Sequence, residues 1–265
     1  VHPDGTLGDR NAVNCGALEE KMGIHGNATC VMNYDSAVGY LLGQEHKGLR
    51  TMFIMMNAAR LVVALQGLSQ AEVAYQNALA YCKERLQGRS PQGAKYPDQP
   101  ADPIIVHPDI RRMLMTVKVF KEGARALAYW AGLMVDIIRK HPDPETRQKT
   151  EDLLGLLTPV LKAYLTDTGF NSVNLCLQCF GGYGYIAESG MEQFVRDVRI
   201  TQIYEGANGI QALDLTGRKL PANRGRAIQL FLALVGGFCE KHKDSAALSP
   251  FIKPLSEALE RLIEA

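Results

Sequence analysis

Residues 49–88 read LRTMFIMMNAARLVVALQGLSQAEVAYQNALAYCKERLQG, and this stretch decides the fold. Met52, Met56, Ala59, Val63, Gly67, Ala71, Ala74, Ala78 and Tyr81 recur at spacings of three and four, as one stripe of small and apolar side chains along a helix. Small residues on such a stripe let a second helix come close. The helix should stop near Gln87-Gly88.

Downstream, Pro91, Gly93, Pro97, Pro100 and Pro103 make 88–106 a loop. His107-Pro108-Asp109 opens a second helix, with proline at its first turn and an acid at its positive end. Its stripe runs Ile110, Leu114, Val117, Phe120, Ala124, Leu127, Ala131, Met134, Ile138, and Pro142 and Pro144 end it. Thr158-Pro159 reads as an N-cap followed by an N1 proline, so a third long helix is expected from Pro159 to Gly181-Gly182. Ser189-Gly190-Met191-Glu192 fits a capping box for a fourth helix over 190–203. A fifth covers about 208–219 until Pro221, and 226–240 and 249–263 read as two amphipathic helices. Upstream, residues 1–46 are rich in Gly and Asn. Two or three short strands are expected there, including Thr29 to Tyr34, too few for a self-standing sheet. The fold class is therefore mainly α: an antiparallel helical bundle preceded by a few β-strands.

Composition bounds the function. The 265 residues are 46% hydrophobic and 22% charged, ample for a core and unlike a disordered chain. The formal net charge of +1 argues against affinity from bulk attraction to phosphate. No apolar run approaches the roughly 20 residues of a membrane span; the longest candidate, Leu230 to Phe238, contains Gly236 and Gly237. The chain opens on Val1 without signal features and reads as the middle of a longer protein. Its six cysteines are scattered, which suggests reduced, buried thiols and a cytoplasmic location. Cys176-Leu177-Gln178-Cys179 has CxxC spacing, but no second pair or nearby His completes a metal site, and helix packing is the expected role.

Four places could carry chemistry. Glu205 sits at a break between two helices among Ile200, Ile203, Tyr204, Ala207 and Ile210. Apolar surroundings raise a carboxyl pKa toward that of a general base; the alternative is an ordinary surface acid. Arg85 lies at a helix C-terminus, where a cation is favoured anyway but could also meet an anion such as a diphosphate. Gln178 precedes Gly181-Gly182, which either stop a helix or let backbone approach a flat ligand. Asn57 and Arg60 share a face of the first long helix; Arg60, in an apolar stretch, needs a protein acid or a ligand as partner.

Together these residues resemble the acyl-CoA dehydrogenase family. Tyr204-Glu205-Gly206-Ala207-Asn208-Gly209-Ile210-Gln211, preceded by Arg196-Asp197 and Arg199-Ile200, looks like its catalytic segment. Gln178 to Tyr183 looks like its flavin-contacting turn, Glu84-Arg85 like the pair ending the first long helix of its carboxyl-terminal domain, and Glu20 to Gly26 like the last part of its middle β domain. The likeness runs in order from residue 1 to about 220. The tail from Pro221 resembles an extra carboxyl-terminal helical region, as in a subgroup similar to 3-methylthiopropanoyl-CoA dehydrogenase.

The resemblance implies a remnant of the middle β domain at 1–46, the carboxyl-terminal helical bundle at 47–220, and the start of the extra region at 221–265. It implies Glu205 as the base that removes a proton α to a thioester, with hydride passing to FAD and a trans-2-enoyl-CoA as product. Arg85, Gln178, Gly181 and Gly182 are then contacts to FAD bound on the neighbouring subunit, Arg85 reaching its diphosphate, and Asn57, Arg60, Tyr204 and Gly206 contact the acyl-CoA substrate. No metal is implied. The expected partners are an electron-transferring flavoprotein or similar acceptor and further copies of the chain, as a dimer or tetramer. Asn57 and Ala207 stand where many relatives have Asp and Thr, and Gly88 where several short-chain relatives have Phe. The chain is expected to be a piece of such an enzyme, inactive and without FAD by itself.

Two alternatives follow. A non-enzymatic, DNA-binding alkylation-response relative would carry a basic tail, yet residues 221–265 hold six basic and five acidic residues, so +1. A pure assembly module would use the small-residue stripes for helix packing alone.

Overall fold

The computed structural model describes residues 1–2 and 4–264; Pro3 and Ala265 lie outside it. Strands β1 (Val13–Leu18) and β2 (Cys30–Tyr34) pair antiparallel, with Val13 opposite Tyr34 and a bulge between Cys15 and Ala17. Eight α-helices follow among the described residues: α1 (Gly48–Glu84), α2 (Pro108–Lys140), α3 (Pro144–Phe180), α4 (Gly182–Tyr185), α5 (Met191–Arg199), α6 (Asn208–Asp214), α7 (Arg226–His242) and α8 (Ser249–Glu264). The expected class, mainly α with a few strands, is the observed one.

Helix α3 is the hub, packing on α1, α2, α5, α6 and α7. One core layer joins Ala74, Ala78 and Cys82 to Leu114, Val117, Val173 and Cys176; a second joins Ala64, Leu68 and Ala71 to Phe120, Ala131, Leu157 and Leu165. These layers make α1 and α3 parallel and α2 antiparallel to both. The small-residue stripe does what its composition predicts. A Cβ on Gly169 would stand 2.6 Å from the carbonyl oxygen of Gly67, and one on Gly67 would stand 2.6 Å from that of Leu165. Only glycine on both helices permits this approach.

By length and composition α1 is apolar enough to cross a membrane, with a mean hydropathy of 1.4 over an 18-residue window, contrary to the expectation that no stretch comes near one. Its core face is instead laid along α3. The start of the stripe, Met52, is exposed.

The third helix corrects the sequence reading. It starts at Pro144, not Pro159, because Asp143 caps it, accepting from the backbone of Glu145 at 3.2 Å and Thr146 at 3.0 Å. Pro159 lies inside, where it leaves the Gly155 carbonyl without its usual donor. Thr158 caps nothing; its hydroxyl donates to the Leu154 carbonyl at 2.7 Å. The capping box at Ser189 also fails to close. Gly190, at φ 69°, is the N-cap of α5, Ser189 Oγ accepts from Met191 N, and Glu192 pairs with Arg196 at 2.7 Å. The fifth helix ends in a π turn over Leu215–Lys219. Cys82, Cys176, Cys179 and Cys239 are buried as expected, but Cys15 and Cys30 are exposed on the hairpin, which has no core of its own.

Candidate functional site

Glu205 occupies the turn between α5 and α6. Its φ is +56° and that of Gly206 is +84°, two successive left-handed residues. Glycine tolerates this; a glutamate does so at a cost, and such strain gathers at functional sites. Glu205 itself is half-buried.

The turn is held from every side. Gln211, fully buried in α6, donates Nε2 to the carbonyls of Glu205 (3.2 Å) and Gly206 (3.0 Å). The Tyr204 hydroxyl donates to Gln66 Oε1 on α1. Burial, reinforced by the Glu205 charge, raises the Tyr204 phenol above its ordinary range, so it stays protonated near neutral pH. Asp167 on α3 accepts from Gln202 at 2.6 Å and from Asn208 at 2.7 Å, one residue on each flank of the turn. Asn208 also accepts from the buried Lys162 ammonium at 2.7 Å. Burial holds Lys162 down to about 8; Asp167 and Glu205 oppose this shift and Arg60 adds to it.

Arg60 is buried and pairs through Nη1 with Asp214 Oδ2 at 2.8 Å. It also lies 5.9 Å over the Phe53 ring, while its Nε has no partner among the described residues. Of the two partners the sequence left open, the structure displays the protein acid. Asn57 is exposed and lines a different feature, an apolar hollow of about 460 Å³ between α1, α2 and α3 with Leu61, Leu65, Val135 and Leu161. The two side chains thus part company despite their shared helix face. Tyr204, Glu205 and Gly206 line neither this hollow nor the next.

A second hollow, of about 660 Å³, joins residues far apart in the chain: Arg85 at the end of α1 and Gly181 and Gly182 after α3, with Tyr81, Phe180 and Tyr183. Tyr81 and Phe180 stack at 4.1 Å, with Tyr183 6.0 Å from Tyr81. Gly181 is at φ +59°, and a Cβ on Gly181 or Gly182 would meet nothing within 4 Å, so open space faces their backbone. A guanidinium, aromatic faces and bare backbone suit a flat anionic ligand such as a dinucleotide. Gln178 is exposed outside this hollow, its carbonyl accepting from Gly181 N at 3.0 Å.

The loop that follows Arg85 is tied down by one carboxylate. Asp102, 0% exposed, anchors the 85–106 loop by accepting from the backbone of Ser90, Lys95 and Tyr96 at 2.8–3.1 Å and from Arg89 at 3.3 Å. Burial opposes ionisation, but these donors hold the carboxyl at about 2. The CxxC pair takes no part. Burial pushes Cys176 up to about 12, and contact with Cys82 plus burial raises Cys179, so neither is a thiolate near neutral pH. The 20–26 segment packs on α5. Ile24 N donates to Asp197 Oδ1 at 2.5 Å, and Arg196 donates to Met22 O at 3.0 Å.

Sequence reasoning missed Gln66, Lys162, Asp167 and Asp214, and gave Gln211 a place in the motif but no role. Lys162 had a signal, as a lone cation in the apolar run from Thr158 to Leu165.

Residues 46–220 match the family model described as acyl-CoA dehydrogenase, C-terminal domain. The chain is 42% identical over 255 residues to 3-methylmercaptopropionyl-CoA dehydrogenase of Ruegeria pomeroyi, covering 96% of this chain and 43% of that protein. Among solved structures, butyryl-CoA dehydrogenase from Megasphaera elsdenii is 29% identical with a TM-score of 0.64, covering 79% of this chain and 49% of that one. Caenorhabditis elegans ACDH-11 in complex with C11-CoA shares the fold at a TM-score of 0.84 and 22% identity, covering 96% of this chain and 40% of that one. The chain therefore spans less than half the length of these proteins.

Proposed function

The chain belongs to the acyl-CoA dehydrogenase family, and on that footing we propose that Glu205 is the base for α,β-dehydrogenation of an acyl-CoA thioester. The observation that carries this reading is the turn itself: a half-buried glutamate in left-handed backbone, clamped from α1, α3 and α6. A proton α to a thioester carbonyl is weakly acidic, so its removal needs a carboxylate held still and shielded from water. Glu205 takes that proton, and Tyr204 and Gly206 border the substrate. Arg60, fixed by Asp214, supplies positive charge beside Gly206: a Cβ there would lie 3.7 Å from Arg60 Nη2.

The hollow between Arg85 and Gly181-Gly182 fits FAD, which when bound supplies the electron sink for hydride from the β carbon. Arg85 would hold its diphosphate, and the bare backbone of Gly181 and Gly182 would let the cofactor approach. Gln178, exposed outside the hollow, would contact it from that side. Asn57 serves the acyl-CoA channel. An electron-transferring flavoprotein or similar acceptor, and assembly into a dimer or tetramer, complete the proposal; exposed apolar residues such as Met115, Val119 and Leu133 on α2 support assembly.

The test is a panel of acyl-CoA thioesters added without oxygen to the native polypeptide that carries this chain. Bleaching of a bound flavin by at least one thioester, with trans-2-enoyl-CoA formed in equal amount, is expected. A flavin that no acyl-CoA bleaches contradicts the proposal. The chain purified by itself is expected to be colourless.

A further inference from the structure

Lys162 is the largest fully buried side chain among the described residues, at 0% exposure, and the reaction described above gives it no task. Its ammonium donates to Asn208 Oδ1 at 2.7 Å. Asn208 Nδ2 in turn donates to Thr166 Oγ1 at 2.9 Å and Asp167 Oδ1 at 2.7 Å. Asp167 also accepts from Gln202 at 2.6 Å. One turn of α3 thus grips both flanks of the 203–207 segment that carries Glu205.

A lysine is a costly choice for filling space. Met or Leu would pack the same volume without desolvating a charge. The cation is the strong donor that Asn208 Oδ1 receives. The Thr166 hydroxyl donates at 2.7 Å to the Lys162 carbonyl, and its approach to Asn208 Oδ1 is 3.4 Å. With Lys162 on the oxygen, the amide can point only its NH2 group at Asp167. Backbone held at positive φ by a non-glycine residue needs such over-determination. The charged groups facing Lys162 are Asp167 on its own helix, Arg60 from α1 and Glu205 from the turn, and Arg60 is itself paired with Asp214 of α6.

We propose that Lys162 is the positioning residue for Glu205: through Asn208 it fixes the turn so that the carboxylate meets the substrate's α carbon. The inference rests on the reading of Glu205 as the base.

The experiment compares Lys162→Met, Lys162→Gln and Glu205→Gln with wild type in the native polypeptide carrying this chain. Flavin reduction by acyl-CoA is measured as kcat and KM. Lys162→Met keeps its flavin spectrum and its KM, while kcat falls roughly 10–100-fold through loss of position. Lys162→Gln restores a donor without charge, so it recovers part of kcat. A second readout needs no flavin. Unfolded lysine holds its proton to 10.5 and the folded one only to about 8, so wild type gains stability over Lys162→Met as pH rises through that window.

Unchanged kcat in Lys162→Met overturns the proposal, as does failure of both variants to fold or a flat stability difference. An inactive Glu205→Gln beside wild-type-like Lys162 variants rejects the positioning role alone. An active Glu205→Gln rejects the base assignment itself.

Discussion

Arg60 Nη1 and Asp214 Oδ2 stand 2.8 Å apart with both side chains 5% exposed, and this buried ion pair ties the middle of α1 to the end of α6. Asp214 also accepts from Arg218 at 2.9 Å in the π turn that follows. The helix leading out of the Glu205 turn is therefore anchored at its far end as well. Asp214→Asn strands a buried guanidinium and is expected to cost about 3–5 kcal/mol in urea denaturation. The double variant Arg60→Met/Asp214→Leu removes both charges and should recover most of that loss. Additive losses in the double variant would show that the pair is not coupled.

Gly67 and Gly169 give a prediction with a built-in control. Gly169→Ala places a methyl against backbone that cannot yield, so the helices must part, at roughly 1–3 kcal/mol. Gly123→Ala on the exposed face of α2, where a Cβ meets nothing within 4 Å, should stabilise by about 1 kcal/mol. Thermal melts of the two variants should move in opposite directions; equal shifts would contradict the close approach.

Asp102 sets an acid limit on the 85–106 loop. Its folded pKa of about 2 lies below the ordinary 3.8, so its contribution is complete above 3.8 and fades as pH falls towards 2. The stability gap between wild type and Asp102→Asn should be constant at neutral pH and close across that acid window. A gap that persists at pH 2 would mean that the loop does not depend on the carboxylate.

Backbone strain at Glu205 inverts an ordinary ranking. In a helix interior alanine is favoured over glycine, whereas at φ +56° glycine avoids a penalty of about 1–2 kcal/mol. Glu205→Gly should therefore unfold at higher denaturant concentration than Glu205→Ala. The opposite order would place Glu205 in ordinary backbone.

The long helices were legible in the sequence because periodicity and termini agreed: Pro108 with Asp109 marks the start of α2, and the stripe from Val63 to Ala78 is the face that α1 buries. Pro159 misled because a proline after threonine has the same local look at a helix start as inside one. The decision lies fifteen residues earlier, at Asp143-Pro144, where a side-chain cap competes with reading both prolines as a stop. In the candidate site, Arg85, Gly181 and Gly182, grouped by their sequence motifs, line one hollow. The supports of the Glu205 turn were not legible. Lys162, Asp167 and Gln66 act across helices through side-chain hydrogen bonds, and no spacing along the chain encodes which polar residue meets which.

The central claim concerns one carboxylate, and its most direct measurement is the rate of flavin reduction by acyl-CoA in Glu205→Gln. The native polypeptide carrying this change should keep its flavin spectrum and oligomeric state, yet reduce the flavin roughly 10²–10⁴-fold more slowly than wild type. Reduction within a few-fold of the wild-type rate would contradict the assignment of Glu205 as the base.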